Sequence, residues 1–225
     1  MGARDTVHRW TQIVGKIGPA LTPLVNHWWN VPLYVTPRGL TTSSMPCGDG
    51  RSLDIEFDFI AHQLRFRVSD GRAHDLPLVP RSVADLYHHI FDVLRLLEIP
   101  CTIWPMPVEI PGETKPLDRD EQHRQYDRES VEKLWRILAL VDEVFTTFRS
   151  RFIGKSSPVH FFWGSFDHAV TRFSGRRAPA RADADVITRE GYSDEVSSVG
   201  FWTGDDRLPL PAFSNYAGRG PAGRA

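Results

Sequence analysis

Residues Leu53 to Phe59 constrain the fold more than any other stretch of the chain. Leu53, Ile55, Phe57 and Phe59 alternate with Asp54, Glu56 and Asp58, the period-two pattern of a strand with one face in a core and the other in water. Leu64, Phe66 and Val68 then alternate with Arg65 and Arg67. A hairpin closing around Ala61-His62 sets Asp58 opposite Arg65, Glu56 opposite Arg67 and Phe57 opposite Phe66, so charges and rings agree on both faces. Asp70-Gly71 is the residue pair a tight hairpin turn requires, and it leads into a third strand near Ala73 to Leu76. Further extended pieces are expected at Leu33 to Thr36 and Leu40 to Ser43.

Helices are written at a different period. Val7, Trp10, Ile13, Val14 and Ile17 recur at helical spacing after Asp5, with Gly18-Pro19 as the expected stop. Ser82 and Asp85 form a capping box ahead of Val83, Leu86, Ile90, Val93, Leu94 and Leu97, and Pro100 ends that stripe. A third helix is predicted from about Asp127 to Ile153, with Val131, Leu134, Leu138, Val141, Phe145, Phe148 and Phe152 on one face. Such a stripe serves either a helix lying across a sheet or, as the candidate homodimer seam, a coiled coil through the 131–152 helix. Cys101 to Trp104 reads as a short strand, Val159 to Phe173 as buried strand bent near Gly164, Gly175 to Asp185 as a mobile surface loop, and Glu195 to Trp202 as a further strand.

The expected class is therefore α+β, an antiparallel sheet with packed helices. Residues 1–104 form an N-terminal half, 105–126 a proline-rich connection, 127–202 a C-terminal half, and 203–225 a frayed tail. A loose internal echo suggests two related halves about a pseudo-twofold axis: Val14-Gly15-Lys16, His27-Trp28-Trp29 and Val35-Thr36 match Ile153-Gly154-Lys155, His160-Phe161-Phe162 and Val170-Thr171 in order but not in spacing.

Composition narrows the function by exclusion. The 27 basic and 28 acidic residues leave a net charge of −1, with no field to draw the chain to nucleic acid or anionic lipid. The longest run without a charged residue, Ile17 to Pro37, is broken by Pro19, Pro23 and Pro32, so no membrane span is expected. Cys47 and Cys101 make no paired motif, and the first fifteen residues carry Arg4, Asp5 and Arg9 with no apolar core, pointing to a reducing cytoplasmic setting. Phosphate-loop, dinucleotide, zincin and nucleophile-elbow motifs are absent, no metal-ligand set has suitable spacing, and no cofactor is named by the sequence. His88-His89 falls off the apolar stripe of its helix, and the row Asp54, Glu56, Asp58 is answered by arginines across the hairpin.

The strings WTQIVGKI, NHWWNVPLYVTPRGLTTS, IWPMPVEIP, FRSRFIGK and HFFWGSFDHAVTRFSGR resemble an uncharacterised bacterial family known mostly as hypothetical proteins or a domain of unknown function, over Trp10 to Trp202. The resemblance carries no activity with it. Similar chains have an aliphatic residue at the position of His168 and a histidine at that of Asp194, which lowers both as catalytic candidates. They also continue past Phe213 into further strands, so this chain reads as truncated or frame-shifted, with a sheet edge left unpaired.

Two aromatic segments hold the candidate chemistry. His160, Phe162, Trp163, Ser165, Asp167 and His168 fall within nine residues. An imidazole beside a carboxylate, shielded by rings, is the usual equipment for proton transfer near neutral pH. His160 is accordingly the candidate general base, with Asp167 orienting it; the competing reading is a satisfied core histidine and an Asp167 that caps or pairs with arginine. Asn26, His27, Trp28 and Trp29 form a smaller cluster whose indole N–H groups could hold an oxygen-bearing ligand. The leading expectation is a small-molecule site between helices and sheet, formed by Asn26, His27, Trp28, Trp29, Phe162, Trp163 and Ser165 with His160 and Asp167. Its rivals are an acid–base enzyme and an oligomer-forming interaction protein.

Overall fold

The computed structural model describes residues 2–179, 186–205 and 210–218. Helix α1 (Ala3–Leu21) starts where the Gly2 N–H donates to the Asp5 carboxylate at 3.0 Å. It buries Trp10, Ile13, Val14 and Ile17 completely. It passes the expected stop at Gly18-Pro19, because a proline in the last turn removes only one bond and Thr22 N–H still reaches the Gly18 carbonyl at 2.8 Å. No described helix is long and apolar enough to cross a membrane.

The first sheet contains β1 (Tyr34–Val35), β2 (Gly39–Thr41), β3 (Met45–Pro46), β4 (Ser52–Asp58), β5 (Gln63–Val68) and β6 (Ala73–Pro77), ordered β1-β2-β4-β5-β6 with β3 also on β4. The β4–β5 register differs from the expected one by two residues: Glu56 faces Arg65, Asp54 faces Arg67 and Phe57 faces Leu64. A two-residue slip keeps every side chain on its face, so alternation alone could not detect it. The longer loop arises because Asp58 accepts the N–H groups of Ile60 and Ala61 at 3.0 and 2.8 Å, and His62 takes a left-handed φ of 54°. The expected ion pairs survive diagonally, Arg65–Asp58 at 2.9 Å and Arg67–Glu56 at 3.3 Å. Gly39 is obligatory in β2, since a Cβ there would lie 1.7 Å from the Phe57 carbonyl oxygen.

Helix α2 (Val83–Leu96) begins at Ser82, whose hydroxyl accepts the Asp85 N–H at 3.1 Å. The strand expected at Cys101 to Trp104 does not form; prolines flank it and Trp104 is exposed. Helix α3 (Arg128–Ser150) is capped by Asp127 and buries Val131, Trp135, Leu138, Val141 and Phe145. The stripe considered as a dimer seam thus lies in this chain's own core, packed on α1, β1 and the second sheet.

That second sheet contains β7 (His160–Phe162), β8 (Asp167–Arg177), β9 (Asp194–Trp202) and β10 (Ala212–Gly218), ordered β10-β9-β8-β7, with the short helix α4 (Val186–Gly191) between β8 and β9. The segment expected as one bent strand near Gly164 is therefore a hairpin. Strand continues to Arg177 where a loop was expected from Gly175, and residues 180–185 of that expected loop lie outside the described residues. The expected frayed tail includes β10, which pairs with β9 from Ala212↔Trp202 to Gly218↔Val196; backbone pairing holds it where apolar content is low. The two aromatic segments of the internal echo are not equivalent, because Asn26–Trp28 is a 3-10 turn and His160–Phe162 a strand.

Asp58 is fully buried beside Arg38 at 2.6 Å and Arg65 at 2.9 Å. Burial pushes its pKa up, but the Arg38 hydrogen bond, the turn N–H groups and Arg65 outweigh that and hold the carboxyl below its ordinary value. A depressed carboxylate stabilises the fold above its unfolded pKa, and the contribution is lost as pH falls through the folded one. Asp58→Asn should therefore lower unfolding free energy by about 3 kcal/mol at pH 7. In urea melts the gap from wild type should narrow below about pH 4; a gap independent of pH would show that the charge contributes nothing.

Candidate functional site

Leu33, just before β1, exchanges two backbone hydrogen bonds with Phe161 of β7, at 2.9 and 2.8 Å. The indole N–H of Trp163 adds a bond to the Val31 carbonyl at 2.9 Å. These links bring the turn Asn26–Trp28, over a hundred residues away in sequence, against the second sheet. Within that turn His27 and Trp28 are both left-handed, with φ of 59° and 60°, a conformation that bulky side chains seldom adopt. Bonds from Trp28 N–H to Val25 O at 2.9 Å and from Val31 N–H to Trp28 O at 3.1 Å hold it. The His27 ring then lies 4.6 Å from that of Phe173 and 5.6 Å from that of Trp29.

Sheet register supplies the facing wall. Phe162 pairs with Asp167 and His160 with Ala169, so these four share a face with Thr171 and Phe173 of β8 and with Ser198 and Gly200 of β9. On the opposite face Phe161, His168, Val170 and Phe201 enter the core, where the His168 ring stacks on Phe145 at 5.9 Å. Phe166, left-handed at φ 57°, closes the β7–β8 turn by donating to the Phe162 carbonyl at 2.8 Å.

Between turn and sheet lies a cavity of about 360 Å³. His27, Trp28, Trp29, His160, Phe162, Ser165 and Asp167 all line it, as do Thr171, Phe173, Ser198 and Tyr216. Helix α4 adds Ile187, Thr188 and Gly191, followed by Tyr192. Two residues expected at the site are elsewhere. Asn26 is exposed on the outer side of its turn. Trp163 does not line the cavity; its ring abuts Gly15 and lies 5.4 Å below the Lys16 ammonium, so its part is to hold the Val31 backbone.

The expected catalytic dyad is not formed. No hydrogen bond joins His160 to Asp167; the carboxylate pairs instead with the Ser165 hydroxyl, and His160 sits edge-on to Trp29, Tyr34 and Phe162. Burial pushes the His160 pKa down to about 3, with His168 and Arg149 adding to the effect. The ring is thus neutral at physiological pH. Burial pushes the Asp167 carboxyl up, against the opposing Ser165 hydrogen bond. At the edge of the cavity the Lys155 ammonium lies 2.6 Å from His27 Nε2 and 3.4 Å from Asp194. An ammonium only donates, so in that contact Nε2 accepts and the His27 proton resides on Nδ1. His27 Nδ1, Trp28 Nε1 and His160 Nε2 are buried without a hydrogen-bond partner.

Some of these groups left a trace in the sequence and others did not. Thr171 and Phe173 follow from period-two alternation counted from Asp167. Lys155, Tyr192 and Tyr216 carry no local signal, because only the tertiary fold brings them to the site. Asp194, set aside on the resemblance, reaches Lys155, whereas His168 lies on the core face bonded to Asp142 at 3.1 Å. His88 and His89 are exposed on α2.

The model of DUF5996, a family of unknown function, matches residues 2–225, and the chain belongs to that family. No curated protein and no solved structure matches it.

A histidine whose folded pKa lies below its unfolded one stabilises the fold above the unfolded value, about 6.5, and that contribution is lost as pH falls. His160→Gln should therefore flatten the loss of unfolding free energy between pH 6 and 4 by up to about 1.4 kcal/mol per pH unit. Equal slopes for variant and wild type in denaturant titrations would show that the ring accepts a proton in the folded state.

Proposed function

We propose that the protein binds a small organic molecule in the cavity between the His27–Trp29 turn and the second sheet, without transforming it. The observation that carries this reading is the convergence of two remote aromatic segments on about 360 Å³ of open space. That volume falls within the range of about 300–1,000 Å³ common for ligand pockets. Three wall nitrogens lack partners, and a bound molecule with suitable acceptors and donors would satisfy them. Acid–base catalysis by His160 and Asp167 has less support, because the pair is not hydrogen-bonded and His160 is strongly desolvated. An assembly role through the α3 stripe is disfavoured by the burial of that stripe. A cytoplasmic setting agrees with two free thiols, Cys47 and Cys101.

Thermal-shift screening against a metabolite library tests the reading. A true ligand at 100 times its dissociation constant should stabilise the fold by about 2.7 kcal/mol. Ala169→Leu, which places a larger side chain on the cavity floor, should abolish the shift while leaving the ligand-free protein folded. A ligand shift of full size in that variant would move the site elsewhere.

A further inference from the structure

The cavity has a charge character of its own. No lysine or arginine is among its described lining residues. His160 is neutral, and His27 is occupied at Nε2 by Lys155. Among the described residues Asp167 is the single acidic one in the wall; its partner is the Ser165 hydroxyl, and no described cation pairs with it. Around it stand rings: Trp28 and Trp29 from the turn, Phe162 and Phe173 from the sheet, and Tyr192 and Tyr216, whose phenol oxygens lie 2.9 Å apart. Trp29 meets Phe173 at an interplanar angle of 63°, so neighbouring walls are turned toward each other rather than stacked.

An aromatic face carries the negative part of its quadrupole and attracts cations within about 6 Å of the centroid. Two of these rings already do so within the chain, since the Lys155 ammonium lies 4.6 Å from the Phe173 centroid and 5.7 Å from that of Trp29. Resting on the reading of the cavity as a ligand site, we infer that it selects an organic cation, a protonated amine or quaternary ammonium, held by the ring faces with Asp167 as counter-charge. The His27 Nδ1 and Trp28 Nε1 protons then suit an oxygen acceptor elsewhere on the same molecule. An anionic ligand would bring its charge against Asp167, and the cation at the cavity edge, Lys155, is already paired with Asp194 at 3.4 Å.

Isothermal titration with matched probes tests the inference. Choline should bind at least tenfold more tightly than 3,3-dimethyl-1-butanol, its uncharged carbon isostere, and benzylamine more tightly than benzyl alcohol or benzoate. Asp167→Asn should weaken choline at least tenfold while changing the isostere little. Phe173→Leu, which leaves the carboxylate in place, should weaken the cations selectively and guards against misfolding of the first variant. Equal binding of choline and its isostere, tighter binding of benzoate, or no response to either cation overturns the cation assignment. A library ligand that is neutral or anionic and is lost in Ala169→Leu would leave the cavity reading standing while removing its charge preference; a library with no ligand at all removes both.

Discussion

The antiparallel bridge between Leu33 and Phe161 decides which parts of the chain meet. Its two backbone hydrogen bonds fasten the end of the His27–Trp29 segment to the edge strand of the second sheet. The Trp163 indole repeats the attachment through Val31. Leu33 and Phe161 are both buried, at 1% and 0% exposure, so these bonds are shielded from water. Without this link the turn would not be held against the second sheet, and no cavity would lie between them.

Alternation in β8 then separates two environments within one strand. Side chains on one face pack under α3, where His168 is buried and bonded to Asp142. The next residue on either side, Asp167 or Ala169, looks toward the cavity. Two histidines near in sequence thus have different physical roles. His168 contributes to the packed interior, while His160 stands in a wall of rings that keeps it unprotonated. The same alternation explains why the cavity floor is small and hydroxylated: Ala169, Thr171, Ser198 and Gly200 occupy the positions where larger residues would fill it.

Much of this was legible from residue order, and the gaps have physical causes. Periodicity gives the elements and their faces, which is why the helices starting near Ser82 and Asp127 and the strand at Leu53 to Phe59 stand where their patterns place them. Period two cannot distinguish registers that differ by two residues, so the β4–β5 pairing needed the turn chemistry of Asp58, which the sequence does not announce. Local composition identified most of one cavity wall, His27 to Trp29 with His160 to Asp167. It could not tell Trp163, whose ring faces α1, from Phe162, whose ring faces the cavity, until a hairpin replaced the single strand. Tyr192 and Tyr216 arrive from a loop and from a tail judged too polar to order, because β-ladder pairing is a tertiary event without a hydrophobic signature.

Several costs coincide in one region. Left-handed φ values at His27, Trp28 and Phe166 each disfavour the fold by about 1–3 kcal/mol. His27 Nδ1, Trp28 Nε1 and His160 Nε2 are desolvated without compensation, and the adjacent space is unfilled. Selection for stability alone would relieve such features by filling the space with larger apolar side chains and replacing side chains whose buried nitrogens lack partners, as happens over much of the core, where Ile55, Phe57 and Phe66 are fully enclosed. Buried unpartnered atoms also occur away from the cavity, at Trp10 Nε1 and Gln12 Oε1, and left-handed residues at Ser43, His62 and Glu98. Around the cavity the two coincide with aromatic walls and unfilled space, the combination that a bound molecule of the kind proposed would compensate.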